Sequence, residues 1–319
     1  MKKGQGEQFN WIFIIIAGAI ILAFFTMFAF KYIDLQERKQ DVQSIKDLGA
    51  VLSTLEKLQV GDQYFALNSN EDSGLKFGYG LELSHNCIED DSELYINDGE
   101  FANYELKDEI LFTDSKQKIN SLDLLIMPWR YPFHITNFIY LSDPNKNYNL
   151  IYDSSSRNFV NELDFSDIFN LEITDKVKIK DNSKYVFFTS RIPSENEIQN
   201  YLGTSDSTEF VYVDTRTKKI SFFDNGWSEP VNYYGEEMMI GSVFSNSKEN
   251  YECNVNKAIS KLKGTSNIYL ERIKLLNQIN KNCNYDGVKT QLTKFSNGDY
   301  RLLEDLKNLN KGTGCLWVF

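Results

Sequence analysis

The residues best placed to do chemistry are few. Tyr152-Asp153-Ser154-Ser155-Ser156-Arg157 sets one carboxylate and three hydroxyls between an expected strand and an expected helix. Open α/β sheets take their ligands at that kind of position. Asp153, Ser154, Ser155 and Ser156 therefore form the candidate ligand loop, and a membrane-tethered enzyme using it is one functional reading. A helix N-cap with spare hydroxyls is the plainer one. The chain has two histidines, and an activated Ser or Cys nucleophile needs an adjacent base with a third group to orient it, so a hydrolase is disfavoured. No catalytic, cofactor-binding or metal-binding residue is assigned, and no cofactor is expected.

Each rival motif fails on a particular residue. A metal-ion-dependent adhesion loop needs Asp-x-Ser-x-Ser, and Arg157 stands at the last position. His85-Asn86-Cys87, followed by Glu89, Asp90, Asp91 and Glu93, is the one stretch that can be drawn as a metal site, but it lacks the paired spacing of zinc ligands. His134, in Pro132-Phe133-His134-Ile135, sits in an apolar setting that suits a hydrogen-bonded core or edge histidine. Neither Gly-x-Gly-x-x-Gly, a Walker pattern nor Gly-x-Ser-x-Gly occurs.

The elements that must carry these residues begin with a membrane segment. Residues 11–30 contain no charge and one hydroxyl, Thr26, and twenty helical residues span about 30 Å, the hydrocarbon thickness of a bilayer. Trp11 and Lys31-Tyr32 stand at its boundaries as interfacial anchors. Residues 1–10 form a short basic leader. Over 31–60, Val42, Ile45, Leu48, Leu52, Leu55 and Leu58 recur at spacings of three and four, the mark of one apolar helical face. That face either docks on the chain's own domain or zips against a protein partner, including a second copy.

Residues 62–245 read as short β-rich runs with intervening helices, a mixed α/β domain whose sheet is flanked by helices. Expected strands are 122–127, closed by a turn over Pro128-Trp129-Arg130-Tyr131-Pro132, then 138–141, 148–152, 184–189, 209–213 and 219–223. Helices are expected over 157–163 and 194–202, the second opening on a Ser194/Glu197 capping box. Residues 250–319 carry two apolar helical stripes joined at Asn282-Cys283-Asn284-Tyr285-Asp286-Gly287, an antiparallel helical hairpin.

That hairpin gives the four cysteines a geometry. It brings Cys253 beside Cys315 and leaves Cys87 for Cys283, a pattern for an oxidising compartment. The alternative is four free thiols in a reducing one. The net charge of −11 excludes a nucleic-acid binder, which needs a clustered basic face. The acidity is also uneven: the first 60 residues hold seven Lys/Arg and six Asp/Glu, the remaining 259 hold 27 and 39.

Two resemblances add to this. Lys2-Lys3-Gly4-Gln5-Gly6-Glu7, ahead of the apolar run, resembles the class III signal of archaeal pilin-like proteins. It implies processing between Gly4 and Gln5 and a filament subunit, although Glu7 stands third after that cut rather than fifth. Phe9-Asn10-Trp11-Ile12-Phe13, Tyr131-Pro132-Phe133-His134-Ile135-Thr136-Asn137-Phe138 and Asn250-Tyr251-Glu252-Cys253-Asn254 make the chain similar to an uncharacterised family of single-pass archaeal membrane proteins, which implies an architecture and no activity. The expectation is a cell-membrane protein with its N-terminus inside and an acidic domain outside, in contact with the bilayer and acting by binding or assembly. Intact-mass measurement of the purified protein tests the filament reading: that reading requires Gln5 as first residue, and a chain beginning at Met1 contradicts it.

Overall fold

The computed structural model describes residues 5–58, 64–68, 75–88, 91–97, 102–163, 169–178, 181–202, 208–279, 283–301, 316 and 318–319. One long helix, α1 (Gln5–Glu56), leads into thirteen strands in two mixed sheets and five further helices among these residues. Fifty-two residues make a rod about 78 Å long. Its first half is long and apolar enough to cross a membrane. Ile15, Leu22, Phe25 and Phe30 stand free of the rest of the chain, and the one hydroxyl, Thr26, returns its proton to the Leu22 carbonyl at 2.8 Å, as a polar group in hydrocarbon must. Gly4 of the candidate processing site lies outside the described residues, and Gln5 opens α1.

The second half of α1 docks on the chain's own domain. Ile45, Leu48, Leu52 and Leu55 are buried, in one cluster with Leu81, Leu94, Leu124, Ile126, Ile139 and Leu141. Each such aliphatic contributes about 1.5–3 kcal/mol when removed from water. Gly49 lets the helix approach closely, because a Cβ there would lie 2.3 Å from the Tyr104 ring.

The surface it docks on is the first sheet. It comprises β1 (Phe65–Leu67), β2 (Leu75–Ile88), β3 (Asp91–Ile96), β4 (Asn103–Glu105), β5 (Ile110–Phe112), β6 (Lys116–Arg130) and β7 (His134–Ser142). They run in the order β4-β3-β2-β6-β7-β5, with β1 also on β6. Only the β5/β7 pair is parallel. Alternation decides the faces: Leu124, Ile126, Ile139 and Leu141 meet α1, while Leu125, Phe138 and Tyr140 point to the opposite core. Strand β6 runs past the expected turn residues Pro128 to Arg130, which pair with β7, so the bend lies at 131–133.

The second sheet holds β8 (Asn147–Tyr152), β9 (Leu171–Thr174), β10 (Ser183–Phe188), β11 (Glu209–Asp214), β12 (Lys219–Phe223) and β13 (Val231–Asn232). Its order is β13-β12-β11-β10-β8-β9, with β9, β8, β10 and β11 mutually parallel. The helix α2 (Arg157–Glu162) follows β8, and α3 (Glu195–Leu202) follows β10. The expected capping box is present: Ser194 Oγ accepts from the Glu197 N–H at 3.3 Å, and Glu197 Oε2 accepts from the Ser194 N–H at 2.8 Å.

Between the sheets lies α4 (Glu236–Phe244), buried from Met238 to Phe244, together with α5 (Lys248–Ile279) and α6 (Asp286–Ser296), which share that core. Gly241 lets α4 sit against the Phe112 ring, 2.7 Å from where a Cβ would be. The expected second arm of the C-terminal hairpin extends to Leu309, and 302–315 lie outside the described residues.

One strand edge of the first sheet is closed by side chains. Asn250, Asn254 and Lys257, spaced by four and three, fall on one face of α5, and Asn246 precedes that helix. Asn246 Oδ1 accepts from the Ser115 N–H, Asn250 Nδ2 donates to Thr113 O, and Asn254 Oδ1 accepts from the Leu111 N–H. Lys257 Nζ donates to Leu106 O and Glu109 O. Leu111 is on edge strand β5 and the other groups flank it, so α5 covers an edge that would otherwise be open to another chain.

The far end of α1 is captured by a single side chain. Asn137, fully buried on β7, directs Nδ2 at the carbonyls of Leu55, Glu56 and Leu58, at 3.2, 2.9 and 2.8 Å. These are carbonyls that a helix leaves without partners at its C-terminus. Three carbonyls can only accept, which sets the amide with its NH2 toward the helix, and Oδ1 lies 3.1 Å from His134 Nε2. Lys261 of α5 adds an ion pair to Glu56 at 3.1 Å. Asn137→Ala is expected to lower unfolding stability by about 1–3 kcal/mol, the cost of stranding buried acceptors. Asn137→Asp, which opposes carboxylate to carbonyl, should cost more. Denaturant titration of both variants in micelles checks the order.

Candidate functional site

The parallel strands of the second sheet place the candidate ligand loop where the connections diverge. From β8 the chain crosses to β9 on one side. From β10 it crosses to β11 on the other. The loops after β8 and β10 therefore leave adjacent strand ends in opposite directions, the geometry that opens a ligand crevice in α/β sheets. Asp153–Ser156 is the first of these loops, and 189–193 is the second.

Within the crevice the polar groups are turned on one another. Asp153 Oδ1 accepts from the Ser155 N–H at 2.9 Å and from Ser155 Oγ at 2.5 Å, and Oδ2 accepts from the Ser190 N–H at 2.6 Å. Ser156 Oγ, buried, donates to Phe188 O. Arg216 holds Ser190 O at 3.0 Å, and Arg191 makes a two-pronged pair with Glu197 at 2.6 and 2.8 Å. Arg157 lies 5.9 Å over the Tyr152 ring. The bonds from Ser155 and Ser190 hold the Asp153 carboxyl well below the usual carboxylate range. A carboxylate so stabilised is a poor proton acceptor, so Ser155 has a weak base beside it. Both histidines are on the first sheet, His85 on β2 and His134 on β7. The loop is a brace between two strand ends, with Ser154 as its exposed hydroxyl.

The other sequence candidates resolve differently. His85 is buried, its Nε2 2.9 Å from Ser92 Oγ, and burial pushes its pKa down to about 3, so the ring is neutral. Its neighbour Cys87 is bonded to Cys253, so neither residue of that pair is a free ligand. The bridge corrects the expected pairing of Cys253 with Cys315 and of Cys87 with Cys283. The physical reason is the course of α5, which runs against β2, β5 and β7 and so brings Cys253 to Cys87 of β2, with Cα atoms 5.8 Å apart. Cys283 is also in a disulfide, and Cys315 lies outside the described residues.

The residues that sequence reasoning missed are the asparagines. Asn137, Asn250 and Asn254 lie in the segments quoted above for the family resemblance, and each is buried against backbone groups of another element. For Asn137 the available signal was its place before the apolar run Phe138 to Leu141, where a side-chain amide must find partners, whereas Asn250 and Asn254 stand in a polar stretch and give no such signal.

Two outcomes are expected. A non-reducing peptide map should yield a Cys87–Cys253 linked peptide, and a Cys253–Cys315 peptide would contradict the fold of α5. A depressed carboxyl contributes stability that is present above its unfolded pKa, about 3.9, and is lost as pH falls through its folded value. The Asp153 carboxylate should thus stay ionised on acidification after ordinary aspartates protonate, which a carbon-13 NMR titration of labelled aspartate reads directly. The chain matches no protein-family model, no curated protein and no solved structure.

Proposed function

We propose that this chain is a membrane-anchored cell-envelope protein whose acidic α/β body stands outside the membrane and acts by binding or assembly, without turning over a substrate. The observation that carries this reading is the unbroken course of α1, which is exposed and apolar over its first half and buried in the domain from Ile45 onward. Helix continuity across 31–44 fixes both the height and the orientation of the body above a bilayer. The exposed stem from Lys31 to Val42 lifts it by about 17 Å. A tether meant only to retain an enzyme needs no such rigidity.

Three further features support the reading. The Cys87–Cys253 bridge suits an oxidising compartment, hence the outside orientation. The hydroxyls and carboxylate at the sheet's switch point are engaged within the loop rather than gathered around an activated nucleophile. The docking face of α1 is occupied by the chain's own first sheet, so partner surfaces lie elsewhere on the body.

Labelling of intact cells with a membrane-impermeant amine reagent tests the orientation. Lysines of the body, such as Lys107, Lys176 and Lys219, are expected to react without permeabilisation. Labelling of these lysines only after lysis places the body on the other side and overturns the proposal.

A further inference from the structure

Past Lys261, the helix α5 presents an apolar stripe to solvent. Ile268, Leu275 and Ile279 are 69, 59 and 74% exposed, and their spacings of seven and four put them on one helical face. Gly264, Glu271 and Arg272 lie on the same face and are exposed as well. The opposite face, with Leu262, Ile273 and Leu276, is buried in the core shared with α4 and α6. Helix α6 packs alongside, with Ser296 Oγ 2.8 Å from Asn267 Oδ1, and leaves the stripe open. Single exposed aliphatics are ordinary on a protein surface, whereas three aligned on one helix face mark a contact surface.

The order of residues along the stripe selects what it contacts. A second copy of the helix, turned antiparallel about a two-fold axis between Glu271 and Arg272, sets Ile268 against the second copy's Leu275, Gly264 against its Ile279, and Glu271 against its Arg272. Symmetry makes each contact twice. Aliphatic meets aliphatic, a large side chain meets a glycine, and acid meets base. A two-fold interface requires a patch that complements itself in this way.

Two residues have no other evident use. Glycine inside a helix costs about 1 kcal/mol relative to alanine, and Gly264 stands mid-way along the 32-residue α5 with nothing within 4 Å of where its Cβ would be. The chain's own packing does not need that space, but a side chain from another helix does. Arg272 has no ion-pair partner among the described residues. Glu271 pairs with Lys274 at 2.6 Å with both side chains exposed, and such surface pairs are worth little and exchange readily.

We infer that α5 is a homotypic contact through which two copies of this chain pair antiparallel along residues 264–279. Three aliphatics a copy are a small surface beside the roughly 800 Å² per partner of a stable soluble complex, so the pair is weak in dilute solution. Copies confined to one membrane by α1 meet at a much higher effective concentration. The pairing deepens the assembly reading proposed above and rests on it, yet it holds on either side of the membrane, so a failed orientation test leaves it standing.

Sedimentation equilibrium of the full-length protein in density-matched micelles, over a range of protein-to-detergent ratios, provides the test. The unaltered chain should show a monomer–dimer equilibrium that shifts toward dimer as protein per micelle rises. Glu271→Arg alone and Arg272→Glu alone each bring like charges face to face twice, and each should weaken the dimer about tenfold, the summed effect of exchanging two attractive surface pairs for two repulsive ones. Both positions are exposed, so thermal unfolding of the variants should match that of the unaltered chain. An equimolar mixture of the two variants should recover the dimer, because each copy then meets opposite charge, and a merely structural effect on α5 would not be rescued by mixing. A monomer at every ratio, association untouched by either substitution, as pairing through α1 would give, or a mixture no tighter than the single variants would each overturn the inference.

Discussion

The inner end of α1 is held by one buried amide, and the relation of membrane segment to body depends on it. A helix that leaves a bilayer and stops inside a protein must dispose of its last carbonyls. Here Asn137 shares its two amide protons among three of them, and its oxygen lies beside His134 Nε2. The apolar stripe of α1 supplies the bulk of the docking energy, but a stripe alone tolerates sliding along a sheet. The amide fixes where the helix stops against the first sheet.

A similar solution recurs at the edge of the first sheet. Strand β5 has β7 on one side only, and an open edge invites pairing with another chain. The asparagines of α5 and of the short connection before it answer the backbone groups of 111, 113 and 115 in turn, and the Cys87–Cys253 bridge ties the same helix to β2. Since Lys261 of α5 also reaches Glu56 at the end of α1, the helix that closes the edge is joined to the helix that enters from the membrane. The first sheet is thereby clamped from its face and its edge.

What was legible in the sequence follows from how each element announces itself. The stripe and the Ser194/Glu197 box are local signals, and the structure uses the box in place and the stripe from Val42 to Leu55, while Leu58, past the end of α1, is exposed. Parallel strands β8, β10 and β11 were legible as apolar runs because both faces are covered. Strand β2 was not, although Leu81, Leu83, His85 and Cys87 are buried alternately with Glu82, Ser84 and Asn86, because a histidine and a cysteine hold two of the core positions and imitate a ligand pair. The disulfide was misplaced for a related reason. A hairpin is a local pattern, whereas the lie of α5 across the first sheet is set by side-chain bonds to strands more than a hundred residues away.

The central claim is that the membrane helix and the body form one rigid unit joined through residues 45–56. Amide hydrogen exchange of the full-length protein in lipid nanodiscs measures this most directly. Residues 45–56 of α1 should exchange as slowly as β6 and β7, in a single cooperative unit with them. Fast exchange of 45–56 against a protected sheet would show a helix that frays from the domain and would contradict it.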